Sequence, residues 1–298
     1  MSRRGVRLAE RHVEGVSGSA RRLHASAIAL VVIVSMGITH PRCVDADPPG
    51  SRWSLVLDDE FNASPGSLPD PALWATCPRA GCVPPPRRLS HYALREGLLD
   101  HFDGNALELY VADCSRSTSA GVCVEGVPYA SGAIRSTQAF QYGYVEIRWN
   151  LTLLSGEHPT FWMLPGQGPP EFEIDIAEFA GDDPFTVHMG LYWDNEQKHE
   201  PRALKDGTNW GDSNYHTFGA DWEPDGITWY VDGVKQPKPI TRHVPDVPMY
   251  PLVTVQVGGT GFAGRPDAQL DPIASVAIDH IRVWRHCSGC GCALVPVQ

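Results

Sequence analysis

Residues 171–179 read Glu-Phe-Glu-Ile-Asp-Ile-Ala-Glu-Phe, and this stretch decides the fold class. Acidic and apolar residues alternate in it with the two-residue period of a β-strand that has one buried face. Glu178 breaks the period, because a regular strand would turn it into the core, where an unpaired carboxylate is strongly unfavourable. One extra residue at Ile176–Ala177, a β-bulge, would return Glu178 to the face of Glu173 and Asp175.

The same alternation recurs along the chain between turns rich in Gly, Pro, Asn and Asp. The 29 Gly and 26 Pro favour many turns between short strands over long helices. Residues 220–222 and 227–231, joined through Glu-Pro-Asp-Gly, give a clear hairpin signal, and Asp232-Gly233 supplies the next turn. We therefore predict an all-β fold, an antiparallel β-sandwich. The predicted strands are Trp53–Leu57, Ala106–Val111, Gly132–Ser136, Tyr144–Trp149, Glu173–Phe179, Val187–Tyr192, His216–Trp222, Ile227–Val231, Leu252–Val257 and Val276–Trp284.

The net charge of −11 is unevenly distributed. Residues 1–42 carry seven Arg against two Glu, and the remainder carries 17 basic against 33 acidic residues. The acidic excess after residue 42 should repel nucleic acid and anionic membranes. A neutral polysaccharide is a compatible partner. We expect a monomer with no nucleic-acid partner.

The Arg-rich N-terminus has the features of an export signal. Two arginines precede the apolar run Ala25–Ile38, whose 14 residues fall short of the roughly 20 that span a bilayer. Small residues precede a cleavage point after Ala46. Because the charged part is unusually long, an uncleaved membrane anchor is the alternative. We assign residues 1–46 to a signal peptide or signal anchor and residues 47–298 to one secreted domain, extracellular or periplasmic.

Eight cysteines suit an oxidising compartment. Two pairs are close enough in sequence to bridge, Cys77 with Cys82 and Cys114 with Cys123. The CxxCxC tail at Cys287, Cys290 and Cys292 also suggests zinc, but only the neighbouring His286 is available as a further ligand. Cleavage after Ala46 would remove Cys43 and leave an odd number of cysteines. Either one thiol then stays free, or Cys43 is retained and pairs with a cysteine of the C-terminal tail.

The acidic residues in 171–179 suggest catalysis by a pair of carboxyl groups. Glu173 and Glu178 would be four strand steps apart, roughly 13 Å, but on a concave sheet their carboxyl groups can approach to about 5 Å, the separation in retaining glycosidases. Asp175 lies between them. We expect its negative charge, shared with Glu173 through a hydrogen bond, to raise the proton affinity of the site and to favour a protonated Glu178.

A solvated strand face or a calcium site would give a similar acidic pattern. Two observations favour a sugar cleft instead. The apolar flanks place the strand in the centre of a sheet, and tryptophans occur nearby in sequence at 162, 193 and 210. Flat aromatic faces are what a sugar ring packs against, although a lone Trp is more often a core residue.

With these residues the chain resembles glycoside hydrolase family 16, the laminarinase, lichenase and agarase group. The resemblance runs from about Trp53 to Trp284, and it lies in the order and spacing of several motifs. These are Leu57–Asn62 (LDDEFN), Gly132–Ser136 (GAIRS), Phe140–Arg148 (FQYGYVEIR), Phe161–Leu164 (FWML), the Glu173–Glu178 motif, Trp229–Gly233 (WYVDG) and Ile278–Trp284 (IDHIRVW).

The resemblance implies a jelly-roll, concanavalin A-like sandwich with a concave cleft and a two-step retaining mechanism. It implies that Glu173 is the nucleophile, Asp175 the assisting carboxylate and Glu178 the acid/base, in the bulged spacing of laminarinases. No cofactor is implied for catalysis. A structural calcium on the convex face is implied, with Glu60, Gly104 and Asp279 as its candidate ligands.

Substrate contacts are expected from five residues on or near the cleft. His188 resembles the family's cleft histidine near the acid/base, with a structural histidine as the alternative reading, and Gln256 faces the cleft by alternation. The sequence departs from the family at Gly168–Phe172, where a Trp-Pro motif is usual, and at Thr254, where Asn is usual; both leave the choice of sugar open. The expected substrate-binding residues are Trp162, His188, Arg135, Gln256 and Trp193.

We therefore expect an endo-glycosidase acting on a β-1,3- or mixed β-1,3/1,4-glucan. A hydrolase of agar- or carrageenan-type galactan and a transglycosylase are alternatives that use the same three acids. A non-catalytic, lectin-like sandwich is the alternative of another class, and the intact Glu173 and Glu178 argue against it.

Overall fold

The computed structural model describes residues 43–44, 48, 53–76, 90–92, 100–115, 123–168, 171–258, 261–266 and 273–286. No helix occurs in these residues. The strands, numbered in chain order, are β1 (Cys43–Val44), β2 (Trp53–Asp59), β3 (Trp74–Ala75), β4 (Ser90–Tyr92), β5 (Asp100–Phe102), β6 (Leu107–Asp113), β7 (Tyr129–Ser131), β8 (Ala133–Ser136), β9 (Gly143–Leu151), β10 (Glu157–Pro165), β11 (Phe172–Ala180), β12 (Asp183–Trp193), β13 (Lys198–Leu204), β14 (His216–Glu223), β15 (Gly226–Val231), β16 (Val234–Lys235), β17 (Met249–Val257) and β18 (Ile273–His286).

The strands form two sheets, as the sequence predicts. The smaller sheet has the order β13-β12-β11-β10-β17-β8-β3, and the larger sheet follows the path β16-β15-β14-β9-β18-β6-β7-β4, with β2 also paired to β18, β1 to β2 and β5 to β6. Pairing is antiparallel except between β4 and β7, which run parallel. The acidic strand β11 lies inside the smaller sheet between β10 and β12, in agreement with the central position inferred from its apolar flanks.

All ten predicted strands are present, most of them longer by one to four residues at an end. The predicted hairpin is formed by β14 and β15, with Glu223 paired to Gly226. The next turn is also confirmed: Asp232 and Gly233 both have positive φ, 47° and 74°, which is the conformation of the tight turn preferred in β-hairpins.

One core fills the space between the sheets. Trp149 and Phe218 from the larger sheet pack edge to face against Phe179 of the smaller one, with ring centroids 6.0 and 5.5 Å apart. Trp210 is buried in the same cluster, so it is a core residue and not part of a sugar cleft. The opposite face of the smaller sheet is therefore the face on which a site can be built.

Of the predicted cysteine pairs, Cys114–Cys123 is confirmed as a disulfide. Cys77, Cys82 and the cysteine tail lie outside the described residues. Most of the predicted N-terminal segment also lies outside them, but Cys43–Val44 pairs with Ser54 and Trp53. The domain boundary at residue 47 stays a prediction. Within the described residues, no helix has the length and apolar character needed to cross a membrane.

Candidate active site

The bulge expected at Ile176–Ala177 is present in β11. Both residues stand between Asp175 and Glu178, whereas β12 has a single residue between the partners of those two acids. The register against β10 shifts at the same place. The extra residue therefore changes the parity of the strand between Asp175 and Glu178.

The change of parity puts the three acids on one face. Ile174, Ile176, Ala177 and Phe179 are buried in the core between the sheets. In an alternating strand, Glu173 and Asp175 point away from Ile174, and after the bulge Glu178 points away from Phe179. Glu173, Asp175 and Glu178 consequently share the outer, cleft-side face of the smaller sheet.

Asp175 is the buried centre of this acidic row, only 2% exposed. Burial raises the pKa of its carboxyl well above the ordinary value, and the charges of Glu173 and Glu178 raise it further. The protonated form is thereby favoured, and it can hydrogen-bond to the Glu173 carboxylate. This differs from the expectation of a negative Asp175: desolvation and two neighbouring acids disfavour a further charge here.

The bulge is held from behind by a residue of the other sheet. Trp229 of β15, itself buried, donates a hydrogen bond from Nε1 to the main-chain oxygen of Asp175 at 2.8 Å. A carbonyl oxygen inside the sandwich needs such a partner, because an unpaired buried carbonyl is destabilising. The contact ties the acidic strand to the core next to the bulge, and the sequence pattern gave no signal for it.

Two histidines flank Glu178. His158 of β10 has its Nε2 2.6 Å from Glu178 Oε1, within hydrogen-bond distance. His188, one of the predicted residues, lies directly opposite Glu178 on β12, and burial lowers its pKa. Phe262 packs against both imidazoles, with ring centroids 4.8 Å from His158 and 5.0 Å from His188. The prediction included His188 but missed His158.

On β12, the aromatic residue next to the acids is Tyr192. The sequence predicted Trp193 as the aromatic substrate contact on this strand. Tyr192 is opposite Glu173, and its pKa is raised by burial and by the charges of Asp175, Glu178 and Glu173. Trp193 has the opposite parity: it packs against the core and stacks on His243 with centroids 4.4 Å apart. The prediction for Trp193 is therefore corrected.

Trp162 and Arg135 lie on the acid face in one row across the sheet. Asp175 is opposite Trp162, Trp162 opposite Leu252, and Leu252 opposite Arg135. Trp162 donates from Nε1 to Thr254 Oγ1 at 3.2 Å. Arg135 lies over the ring of a neighbouring tyrosine, and it is three strands, about 14 Å, from Asp175. Trp162 is therefore beside the acids, whereas Arg135 belongs to a more distant part of the face.

Gln256, the last predicted contact, is opposite His158 on β17 and mostly buried. It therefore lies two strands from Glu178, on the far side of His158. The face thus has a centre made of the three acids, the two histidines and Tyr192, and a periphery that includes Gln256 and Arg135.

Comparison with known proteins agrees with this architecture. The family model of glycosyl hydrolases family 16 matches residues 96–281, more than half of the chain. The chain belongs to this family.

Three proteins similar to this chain have names that refer to cleavage of β-linked glycans. Endo-1,3-1,4-beta-glycanase EglC of Rhizobium meliloti is 31% identical over 161 residues, which cover 53% of this chain and 34% of EglC. A beta-glucanase of Rhodothermus marinus is 26% identical, covering 89% of this chain and 96% of the relative. The crystal structure of SCLam, a non-specific endo-beta-1,3(4)-glucanase, superposes with a TM-score of 0.67 at 26% identity, covering 84% of this chain and 97% of SCLam. The chain spans only about a third of the length of EglC.

The predicted calcium ligands Glu60 and Asp279 both lie beside arginines. Asp279 accepts a hydrogen bond from Arg148 at 2.9 Å, and Glu60 accepts from Arg282 Nε at 2.9 Å. Each of these hydrogen bonds uses one oxygen of its carboxylate, and a carboxylate has two oxygens that can bind a cation. A calcium site at Glu60, Gly104 and Asp279 stays a prediction.

Within the described part of the chain, a different group has the spacing to hold a metal ion. Asp221, Glu223 and His286 offer ligand atoms within 4.8 Å of one another. His286 Nε2 is 2.9 Å from Glu223 Oε1, and burial, followed by the nearby aspartates, raises the pKa of Glu223 to about 7. This group lies on the larger sheet and has no part in the acid face.

Proposed function

We propose that this chain hydrolyses internal linkages of a β-1,3- or mixed β-1,3/1,4-glucan with retention of the anomeric configuration. The observation that carries the proposal is the bulge at Ile176, which gives Glu173, Asp175 and Glu178 a common face. The proposal is supported by the β-glucanase names of the relatives and by Trp162 and Tyr192, aromatic neighbours of the acids suited to sugar rings.

In the first step, Glu173 attacks the anomeric carbon and the glycosidic bond breaks. Glu178 gives its proton to the departing oxygen, which leaves a glycosyl ester on Glu173. In the second step Glu178 takes a proton from water, and the water oxygen displaces Glu173 from the anomeric carbon. Two inversions at the anomeric carbon give net retention of its configuration. Neither step is an oxidation or a reduction.

Asp175 acts through Glu173. Its raised pKa favours a hydroxyl that donates to the Glu173 carboxylate. This hydrogen bond orients the nucleophile before attack and stabilises the negative charge that returns to Glu173 when the ester is broken. A neutral Asp175 also avoids a second full charge beside the attacking oxygen.

The setting in which the chain works is also a proposal. We propose export and action as a monomer outside the cytosol, either free or held by an N-terminal anchor. The arginine-flanked apolar run at residues 25–38 and the Cys114–Cys123 disulfide support an exported protein.

Replacing Glu173 with glutamine tests the assignment. We expect Glu173→Gln to lower kcat by more than about a thousandfold, measured as reducing ends released from laminarin, lichenan, agarose and carrageenan. Glu171→Gln, an exposed acid two residues earlier, is the matched control and should retain activity. Cleavage that survives Glu173→Gln contradicts the assignment. Preferred cleavage of agarose or carrageenan contradicts the glucan proposal, and chain lengthening without new reducing ends indicates transglycosylation.

A further inference from the structure

His158 and Glu178 form a close, shielded contact. Their Nε2 and Oε1 atoms are 2.6 Å apart, and the side chains are only 17% and 20% exposed. Even hydrogen bonds in which one partner is ionised are usually about 2.7–2.9 Å long, so this contact is short. In partly buried surroundings, a bond of this kind is stronger than the same bond in water.

The fold holds the His158 ring in place. Thr160 of β10 is directly opposite Glu178, so His158, two residues earlier, is the diagonal neighbour on the same face. Gln256 is opposite His158 on the next strand. Phe262 packs on the imidazole from a separate segment, with ring centroids 4.8 Å apart. The ring is thus restrained by neighbours on both sides while Nε2 meets Glu178.

We propose that His158 is a positioning residue for Glu178, and that it donates a hydrogen bond from Nε2 to Oε1 during proton transfer to the leaving group. This inference rests on the function proposed above, in which Glu178 is the acid/base. His158 acts through Glu178 and not on the reacting sugar.

The reason lies in where negative charge appears. As the glycosidic bond breaks, the proton on Glu178 Oε2 passes to the leaving oxygen, and Glu178 becomes a carboxylate. The Nε2–H group keeps its proton, and its bond to Oε1 changes from neutral to charge-assisted. A donor that binds the product of proton transfer more strongly than the reactant lowers the barrier. When water returns a proton to Glu178 in the second step, the carboxylate charge disappears.

The dependence on the leaving group distinguishes this role from a structural one. The sugar released when a glucan is cleaved is a poor leaving group, so its oxygen must be protonated. Dinitrophenolate is a good leaving group and departs without protonation. We therefore compare kcat/KM for a β-1,3-glucan oligosaccharide with kcat/KM for the dinitrophenyl glycoside of a β-1,3-linked glucose disaccharide. For both substrates, kcat/KM reports the steps up to cleavage of the first bond.

His158→Leu should lower kcat/KM on the oligosaccharide by about ten- to a hundredfold, the effect of one hydrogen bond to a charged group. On the dinitrophenyl glycoside kcat/KM should fall by no more than about threefold, because this leaving group needs no general acid. His158→Gln, whose amide nitrogen can donate in place of Nε2, should recover most of the oligosaccharide activity. His243→Ala, at an exposed histidine, is the control and should change neither value.

An equal loss on both substrates overturns the proposal, because it indicates damage to the whole site. An unchanged oligosaccharide rate in His158→Leu overturns it as well. Glu178→Gln tests the underlying function separately: it should lose oligosaccharide activity and keep activity on the dinitrophenyl glycoside. If Glu178→Gln lacks this selectivity, the proposed role of Glu178 fails; if it has the selectivity and His158→Leu does not, only the role of His158 fails.

Discussion

Replacing Trp229 with phenylalanine removes the hydrogen bond that supports the bulge from inside the sandwich. The indole Nε1 donates to the Asp175 main-chain oxygen at 2.8 Å, and Trp229 is only 2% exposed. Without the donor, this oxygen stays buried with one partner fewer, which destabilises by about 1–3 kcal/mol. Phenylalanine is also smaller than tryptophan, and the cavity it leaves destabilises the fold independently of the lost hydrogen bond.

Trp149→Phe is the matched control that separates the two effects. Trp149 is also buried, 1% exposed, and its Nε1 has no hydrogen-bond partner among the described residues. The same change of side chain at Trp149 therefore removes volume without removing a hydrogen bond. We expect Trp229→Phe to be less stable than Trp149→Phe by about 1–3 kcal/mol, which is about 2–12 °C in Tm for a domain of this size.

Urea unfolding followed by far-UV circular dichroism measures the difference without relying on tryptophan fluorescence. The kcat of Trp229→Phe should also fall further than that of Trp149→Phe, because Asp175 and the bulge lie directly above the lost bond. Equal destabilisation of the two variants, with equal kcat, would refute the role assigned to the Trp229 hydrogen bond.

Two further predictions concern buried acids. Asp175→Asn keeps a hydrogen-bond donor towards Glu173, so its kcat should exceed that of Asp175→Ala by at least about tenfold; equal kcat values in steady-state assays would contradict a donating Asp175. Burial raises the pKa of Glu157 from 4.5 to about 7, so the folded protein keeps a proton that the unfolded chain releases, and wild-type stability falls as the pH rises from 4.5 through 7. The unfolding free energy of Glu157→Gln should therefore gain about 3 kcal/mol relative to wild type between pH 4 and pH 8, and a pH-independent difference in urea melts would contradict this.

The acid face could be predicted from residues 171–179, because Glu178 conflicts with the strand period and a bulge resolves the conflict locally. The error at Trp193 had a local signal too. Val187, Met189 and Leu191 alternate as core residues, and the same period carried two residues further places Trp193 with them and Tyr192 with the acids. The two-residue period of β12 therefore predicts the positions of both residues.

Other features depend on contacts between distant parts of the chain. His158 lies in the stretch Glu-His-Pro, which lacks a clear strand pattern, and its partner is 20 residues away on another strand. The pairing of Arg148 with Asp279 joins residues 131 apart. The indole of Trp229 reaches across the core to β11. No local period encodes these three contacts.

Trapping of the glycosyl-enzyme tests the central claim most directly. A 2-deoxy-2-fluoro β-glucoside with an activated leaving group slows the second step more than the first, so the ester should accumulate on the nucleophile. Peptide mapping by mass spectrometry should find one sugar attached to Glu173. A sugar attached to Glu178 or to another residue, or active enzyme that forms no adduct, would contradict the account.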